Sequence, residues 1–353
     1  MFKVPKRISM VAQTRGSLLD YLSQHGAGEA LPSERALCGL LKVSRVTLRA
    51  ALKQLERDGH FQRGRGRTRV VRKSAPASAP PGQPVVVVVA PQPLHQLEPR
   101  AIYMLDELRE QLGAAGLEMH FASQPALYAS RPEAGLEKLA AQLRPACWVL
   151  YRSTQAIQEW VARHRHPGVV IGSPHADIAL PAVQADYRAT TRHAAQRLLA
   201  RGHPVIALLN PAEKLAGILE SEQGFGEAAT RGATLLIEHH QGTRESVQHA
   251  LDTLLARATR PTGFVVMRPA HALTALGHLM LRGCRIPGAV SLIALEHDSF
   301  LDHTVPRVAC YVVNPVVFAH RLCRQVLAVV GGGEQGGRTE RIMPEFRPGE
   351  TLG

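Results

Sequence analysis

Cysteine is scarce in this sequence. The five cysteines are scattered, form no C-x-x-C pair and make an odd total: Cys38, Cys147, Cys284, Cys310 and Cys323. This usage argues against a disulfide framework and against a zinc site built from thiolates. We therefore expect the protein to work in a reducing cytoplasm.

Long hydrophobic runs are missing too. The longest purely aliphatic run, Val85 to Ala90, is too short to cross a bilayer. The opening segment MFKVPKRISMVAQ is basic and lacks the apolar core of a secretion signal. We expect neither export nor a membrane partner.

The common signatures of catalysis are also absent. There is no G-x-S-x-G elbow and no phosphate-binding loop, and GGGEQGG at 331–337 lacks the strand-to-helix context such a loop needs. The 17 histidines include close pairs such as His164 with His166, but none has ligand spacing of the H-E-x-x-H kind. We expect no enzyme, no metal site and no cofactor, and we interpret 331–337 as a flexible turn.

Positive charge, in contrast, is abundant and unevenly placed. The 353-residue chain has a net charge of +13. Residues 1–73 hold 16 Lys or Arg against 5 Asp or Glu, a balance of +11, whereas the remaining 280 residues hold 26 against 24, only +2. A nearly neutral body with a basic front end indicates a polyanionic partner at that end.

A change of composition separates the two parts. Residues 74–84, SAPASAPPGQP, contain four prolines together with Ser, Ala and Gly. This is typical of a semi-rigid linker. We therefore expect a first domain at 1–73, a linker at 74–84 and a second domain at 85–353, which is long enough to bury a core.

Two short helices are predicted in the first domain. Ser33 can cap a helix through Leu41, and Ser44 can cap a second helix that runs to about Asp58 and stops at Gly59. The second helix has an apolar stripe of Leu48, Leu52 and Leu55. A different face carries Arg45, Arg49 and Lys53. This pattern predicts a helix-turn-helix whose second helix enters the major groove of DNA.

The basic segment HFQRGRGRTRVVRK, residues 60–73, has more than one interpretation. It can be a solvated basic tail or an arginine-glycine segment that binds RNA. Alternatively, 61–63 and 68–71 can pair as short strands around a glycine-rich turn. Its place directly after the two helices favours this hairpin, as a wing that sets Arg65 or Arg67 against phosphate or into a minor groove.

These residues carry a family resemblance. LPSERALCGLLKVSRVTLRAALKQLERDG, residues 31–59, resembles the GntR-type winged-helix signature nearly position for position, and the arginine-rich wing follows where that family has it. The resemblance implies DNA contacts from the arginine of P-S-E-R and from the polar and arginine positions of V-S-R-x-T-x-R. By number these are Arg35, Ser44, Arg45, Thr47 and Arg49, with Gly66 in the wing. The family often has a glutamate at the position of Ala50 and a second glycine at that of Thr68, differences that concern local packing.

Predicted strands alternate with predicted helices from residue 85 onward. VVVVVA at 85–90 is typical of a strand buried on both faces. The alternation, which includes a helix expected at 222–231, predicts parallel sheets covered by helices. It contains too many units for one sheet, so we expect an α/β body of two lobes.

The body also resembles a known family. VQADYRATTRHAAQRLLARGHPVIALLNP, EQGFGEAA and RGCRIPGAVSLIALEHD resemble the LacI-type regulatory domain, which is itself similar to periplasmic sugar-binding proteins. The clearest marks are Asp186, Gly202-His203, Gly224-Phe225 and Ile286-Pro287. The resemblance covers roughly 85–353 and implies two Rossmann-like lobes, a ligand cleft between them, and hinge segments near 186–190 and 308–314.

The departures from that family concern the ligand. Sugar-binding members usually have an arginine where Ser221 stands, Asn-Asp where Arg268-Pro269 stands, and an aspartate where Glu296 stands. Carboxylates and guanidinium groups suit sugars because they exchange paired hydrogen bonds with neighbouring hydroxyls. The altered charge pattern weakens the expectation of a neutral pentose or hexose.

Two interpretations of the cleft stay open. It can bind an acidic sugar derivative or another charged metabolite, with Ser221, Arg268 and Glu296 at its mouth, or these can be ordinary loop residues around a weak or absent effector site. The position of such loops favours the first. Tyr151, Arg152 and Asp186 are further candidates near strand ends, although Asp186 can instead cap backbone at the hinge.

Together these features predict a transcription regulator, a repressor that dimerises through its body, binds a double-stranded DNA operator and responds to a sugar-like or anionic small molecule. The alternative is a small-molecule-binding protein that is attached nonspecifically to nucleic acid. An enzyme that acts in the cleft is the least favoured alternative, because no pairing of a catalytic nucleophile with a general base is recognisable.

Overall fold

A computed structural model describes residues 14, 18, 31–57, 61–63, 69–71, 83–128, 131–333 and 338–353. The chain divides into two compact units, Met1–Gly82 and Gln83–Gly353. Each unit has a hydrophobic core of its own. Within the described segments, no helix is long and apolar enough to cross a membrane.

In the described part of the first unit lie the helices α1 (Glu34–Leu41) and α2 (Arg45–Arg57) and a sheet of two strands, β1 (Phe61–Arg63) and β2 (Arg69–Val71). Thr14 and Leu18 are also helical. Both predicted caps are confirmed. The Ser33 hydroxyl accepts a hydrogen bond from the Ala36 amide at 3.3 Å, and the Ser44 hydroxyl accepts one from the Thr47 amide at 3.2 Å. These bonds satisfy amides at the start of each helix that have no partner within the helix.

The leucine stripe of α2 forms the core of this unit. Leu48, Leu52 and Leu55 have relative exposures of 0%, 1% and 0% and pack with Leu18, Leu31, Leu37 and Ala51. Strands β1 and β2 pair antiparallel, with Phe61 opposite Val71. The hairpin prediction is therefore confirmed for its strands, whereas Arg65, Gly66 and Arg67 lie outside the described residues.

The second unit has two lobes, which confirms the predicted α/β architecture. The first lobe begins with β3 (Val85–Ala90), α3 (Pro99–Ala114), β4 (Glu118–Ser123), α4 (Glu133–Leu143), β5 (Cys147–Tyr151), α5 (Gln155–Arg163), β6 (Gly168–Ile171) and β7 (Ala182–Ala185). The second lobe contains α6 (Tyr187–Leu199), β8 (Val205–Pro211), α7 (Ala216–Gly226), β9 (Thr234–His240), α8 (Arg244–Leu255), β10 (Gly263–Val266), α9 (Pro269–Leu281), β11 (Ser291–Ala294) and β12 (Ala309–Val312).

The chain then crosses between the lobes twice more. Helix α10 (Pro315–Val330) and strand β13 (Thr339–Ile342) return to the first lobe, and β14 (Glu345–Arg347) joins the second. With the passage from β7 to α6, this makes three crossings. The crossing between β13 and β14 is not among the hinge segments expected from the sequence.

Each lobe is built on a six-stranded sheet. The strand orders are β4-β3-β5-β6-β7-β13 and β9-β8-β10-β11-β12-β14. All neighbours run parallel except β12 and β14, which are antiparallel. In each sheet the chain first moves to one side and then to the other, so strand order reverses between β3 and β5 and between β8 and β10. Ligands of open parallel sheets bind beyond the carboxyl ends of the strands at such points.

The helix expected at 222–231 is wrong in position. The structure has α7 at Ala216–Gly226 instead. Two glycines near its end obscure the helical pattern in the sequence, but Gly224 has a packing role. A β-carbon there would lie 2.0 Å from the Arg188 carbonyl oxygen, so the absence of a side chain lets α7 approach α6.

Candidate functional site

A cleft lies between the two lobes, beyond the carboxyl ends of the central strands. It has a volume of about 1020 Å³, including the part that is open to solvent. The segments that follow β3, β5 and β6 supply its first-lobe wall, and those that follow β8, β10 and β11 supply the opposite wall. The cleft therefore occupies the two points where strand order reverses.

Much of the lining is apolar. Side chains from both lobes and from the returning helix α10 contribute to this surface: Met104, Ile171, Ile218, Met267 and Phe318. Such a surface favours ligand groups that gain by leaving water. The polar groups are fewer, and most of them are bonded to each other.

The most buried charged group in the described lining is the carboxylate of Glu296, which is 7% exposed. One of its oxygens accepts a hydrogen bond from the Tyr187 hydroxyl at 2.5 Å, and the other lies 3.0 Å from the Arg100 guanidinium. Arg100 belongs to the first lobe and Glu296 to the second. This ion pair therefore joins the two lobes inside the cleft.

Burial and charge oppose each other in this pair. Burial alone would raise the pKa of Glu296, but Arg100 and the Tyr187 hydroxyl outweigh it and hold that pKa below its usual value. Burial alone would lower the pKa of Arg100, and the Glu296 carboxylate more than offsets this. Both groups are therefore charged at neutral pH.

A second ion-pair network lies nearer the mouth. The Glu213 carboxylate accepts hydrogen bonds from Arg152 at 2.7 and 2.9 Å and from Arg268 at 2.8 Å. Arg152 follows β5 in the first lobe, whereas Glu213 and Arg268 follow β8 and β10 in the second. Burial would raise the pKa of Glu213, but the two arginines lower it overall. At 42% side-chain exposure, this glutamate remains open to solvent.

Four of the residues predicted to bind an effector line the cleft: Tyr151, Arg152, Arg268 and Glu296. The backbone of Arg152 is left-handed, with φ of 49°. This conformation is uncommon for a residue with a side chain and is frequent at functional sites.

The other two, Ser221 and Asp186, do not line the cleft. Ser221 is fully buried, donates to the Ile218 carbonyl at 2.7 Å and accepts from the Asn210 amide at 2.9 Å. Because α7 starts at Ala216, its first turn faces the cleft and Ser221 lies one turn further along. Asp186 caps α6 by accepting from the Ala189 amide at 2.9 Å, which is the alternative the sequence left open.

Sequence reasoning missed Arg100, Tyr187 and Glu213. The first and last lie in segments that follow β3 and β8, the strands beside the two reversals of order. Alternation along the sequence predicts strands but not their order in a sheet. Knowledge of the strand order would have been needed to place these residues at the cleft.

The first unit presents a separate candidate surface for nucleic acid. Arg45, Arg49 and Lys53 are exposed on α2, opposite its buried leucines. The Arg49 guanidinium is 67% exposed and donates to the Glu34 carboxylate at 2.9 Å. The hydroxyls of Ser44 and Thr47 lie 2.8 Å apart at the start of this helix. The side chain of Arg35 lies outside the described part of the structure.

Comparisons with known proteins match both units. A family model for bacterial regulatory proteins of the gntR family matches residues 22–71, and a model for a periplasmic binding protein-like domain matches residues 195–352. The HTH-type transcriptional regulator AscG of Escherichia coli (strain K12) is 23% identical over 188 residues, which cover 52% of this chain. The match spans 56%, about half, of that regulator's length.

Solved structures resemble the second unit. A putative LacI transcriptional regulator from Bacillus cereus subsp. cytotoxis is 18% identical with a TM-score of 0.69, and covers 76% of this chain and 98% of its own. A putative transcriptional regulator from Yersinia pestis biovar Microtus is 19% identical with a TM-score of 0.67, at coverages of 76% and 98%. At these identities the likeness shows the fold.

Proposed function

We propose that this chain, which joins a gntR-family regulatory domain to a periplasmic binding protein-like domain, is a transcription regulator that binds a DNA operator under the control of a small molecule. The observation that carries the proposal is the exposed cationic face of α2, whose opposite face forms the core of its unit. A helix held in this way can enter the major groove with its arginines against base edges.

The proposed contacts divide into two kinds. Arg45 and Arg49 read bases, because a guanidinium can form two hydrogen bonds with guanine. Arg35, Ser44 and Thr47 position the helix on the DNA, and Arg65, Gly66 and Arg67 of the wing approach phosphate or a minor groove. Contacts to phosphate supply affinity that falls as salt rises.

The small molecule acts through the cleft. Tyr151, Arg152, Arg268 and Glu296, joined by Arg100, form the proposed effector surface. An effector that prefers one arrangement of the lobes shifts the population toward it, and the change in operator affinity is limited by that preference. A homodimer formed through the second unit would place two heads on a pseudo-palindromic operator. Repression in the cytoplasm by operator occupancy is the proposed mode.

Selection of DNA from a random duplex pool by the full-length protein tests this proposal. A regulator enriches one motif and binds it at least about 10³-fold more tightly than random duplex. The competing function, nonspecific attachment to nucleic acid, gives steep salt dependence without an enriched motif. That outcome would replace the proposal.

A further inference from the structure

The cleft offers few polar groups to a polyhydroxylated ligand. Both oxygens of Glu296 are already bonded, to Tyr187 and to Arg100. The Gln158 amide donates to the Ser153 hydroxyl at 2.9 Å and accepts from the His175 amide at 2.9 Å. A sugar hydroxyl that approached either residue would have to break a hydrogen bond within the protein. The Tyr151 hydroxyl and the Glu98 carboxylate, which lies 3.9 Å from Arg100, are further polar partners in this part of the described lining.

Glu213 is different, because it occupies a site that resembles a receptor for an anion. Its carboxylate bridges the guanidinium groups of Arg152 and Arg268 from a loop that is open to solvent. The first turn of α7, at Ala216 and Gly217, lines the same cleft, and the start of a helix favours negative charge. The Glu213 side chain is 42% exposed, whereas those of Arg152 and Arg268 are only 21% and 15% exposed, so the carboxylate can move into solvent while the two guanidinium groups stay in the cleft.

We propose that the effector is a small organic monocarboxylate with an apolar body, whose carboxylate replaces that of Glu213 between Arg152 and Arg268. Binding of this acid is a property of the cleft itself. Only its consequence for DNA rests on the proposed function.

The charge balance of the cleft supports a single negative charge. Three arginines, Arg100, Arg152 and Arg268, face the carboxyl groups of Glu98, Glu213 and Glu296 among the described residues. Burial, and then Glu296, raise the pKa of Glu98 despite the neighbouring arginines. With Glu98 ionised, the cleft has one excess positive charge once Glu213 has moved away. A monocarboxylate restores neutrality, whereas a neutral sugar leaves the charge unpaired and a phosphate dianion reverses it.

Two histidines near Arg268 do not alter this balance at neutral pH. His240 and His271 are buried beside each other, with ring centroids 4.3 Å apart. Burial first, and neighbouring positive groups second, lower the pKa of each to about 4. Both are therefore neutral when the cleft binds its ligand.

The shape of the ligand follows from the remaining lining. The same cleft presents aliphatic, thioether and aromatic groups of Met104, Ile218, Met267 and Phe318. Burial of apolar ligand surface here contributes roughly 25 cal/mol per Å². A hydroxylated acid would find few groups here to replace its hydrogen bonds to water, so an aromatic or aliphatic acid fits better than a sugar acid.

Isothermal titration of the full-length protein with matched probes tests the inference. The acids are benzoate, 3-phenylpropanoate, cyclohexanecarboxylate and octanoate, each paired with its alcohol, and gluconate and glucose represent hydroxylated ligands. We expect at least one apolar acid to bind about tenfold more tightly than its alcohol and more tightly than gluconate. Glu213→Gln should tighten that acid about fivefold, because it removes the competing carboxylate, and should leave the alcohol unchanged.

Two variants sharpen the result. Glu245→Gln removes the same charge from an exposed ion pair with Arg244, outside the cleft, and should change neither affinity. Arg268→Ala should abolish the preference for acid over alcohol. The inference would be overturned if acid and alcohol bound equally, or if the protein preferred glucose or gluconate. It would also be overturned if neither wild type nor Glu213→Gln bound an acid, or if that variant bound the acid more weakly than wild type. The DNA selection does not depend on these ligand measurements. A selection without an enriched motif would overturn the proposed function and would leave the binding of acids by the cleft unaffected.

Discussion

Arg152 and Glu213 belong to opposite lobes, yet their side chains meet at 2.7 Å across the mouth of the cleft. Arg100 and Glu296 repeat this relationship deeper inside, at 3.0 Å. The two pairs differ in their carboxylates: Glu213 is 42% exposed, whereas Glu296 is 7% exposed and forms the buried pair. The two pairs should differ in what they contribute to stability.

Breaking the buried pair should be costly. Arg100→Ala leaves the Glu296 carboxylate buried without its cation, and we expect a loss of about 3 kcal/mol in the free energy of unfolding of the second unit. Glu213→Gln, which disrupts the pair with the more exposed carboxylate, should change it by less than about 1 kcal/mol. Urea unfolding followed by tryptophan fluorescence reports on this unit, because both tryptophans, Trp148 and Trp160, lie in its first lobe. Equal losses in the two variants would contradict the account.

Close packing of α6 against α7 should depend on Gly224. Gly224→Ala places a β-carbon 2.0 Å from the Arg188 carbonyl oxygen, a clash that only backbone movement relieves. We expect a loss of about 3 kcal/mol and a lower melting temperature. Gly226→Ala, in the same helix but with no atom within 4 Å of the new carbon, is the matched control and should be neutral or slightly stabilising. Thermal unfolding by circular dichroism compares them.

Low pH should destabilise the second unit, partly through protonation of His271. Its pKa is lowered to about 4 by burial and by Arg268, whereas the unfolded chain binds a proton near pH 6.5. Between these values the unfolded state holds more protons, so stability falls as pH drops from about 6.5 to about 4. His271→Phe keeps a ring beside His240 and should make this pH dependence shallower. The stability lost between pH 6.5 and pH 4 should be smaller by about 3 kcal/mol than in wild type. His249→Phe, at an exposed position, should leave it unchanged; identical slopes in wild type and His271→Phe would refute this role.

The features that the sequence predicted are local ones. The leucine stripe of α2 repeats within three helical turns. The six residues VVVVVA are enough to predict a buried strand. Caps at Ser33 and Ser44 likewise depend only on the next three residues. Each of these could be read because its cause lies within one helix or one strand.

The features that the sequence did not predict depend on distant partners. Arg152 and Glu213 are 61 residues apart, and Tyr187 and Glu296 are 109 residues apart. Their meeting requires the strand order of both sheets and the crossings between lobes. Ser221 was misplaced for a related reason, since its position depends on where α7 starts relative to the cleft.

The most direct test of the central claim is a competition measurement of fluorescence anisotropy, with the motif recovered by selection and a random duplex of equal length. Wild type should prefer the motif by at least about 10³-fold, and Arg45→Ala/Arg49→Ala should bring that ratio close to one. Arg244→Ala/Arg285→Ala removes the same charge from exposed positions of the second unit and should retain the wild-type ratio. An unchanged ratio in Arg45→Ala/Arg49→Ala would contradict the assignment of α2 as the helix that reads DNA.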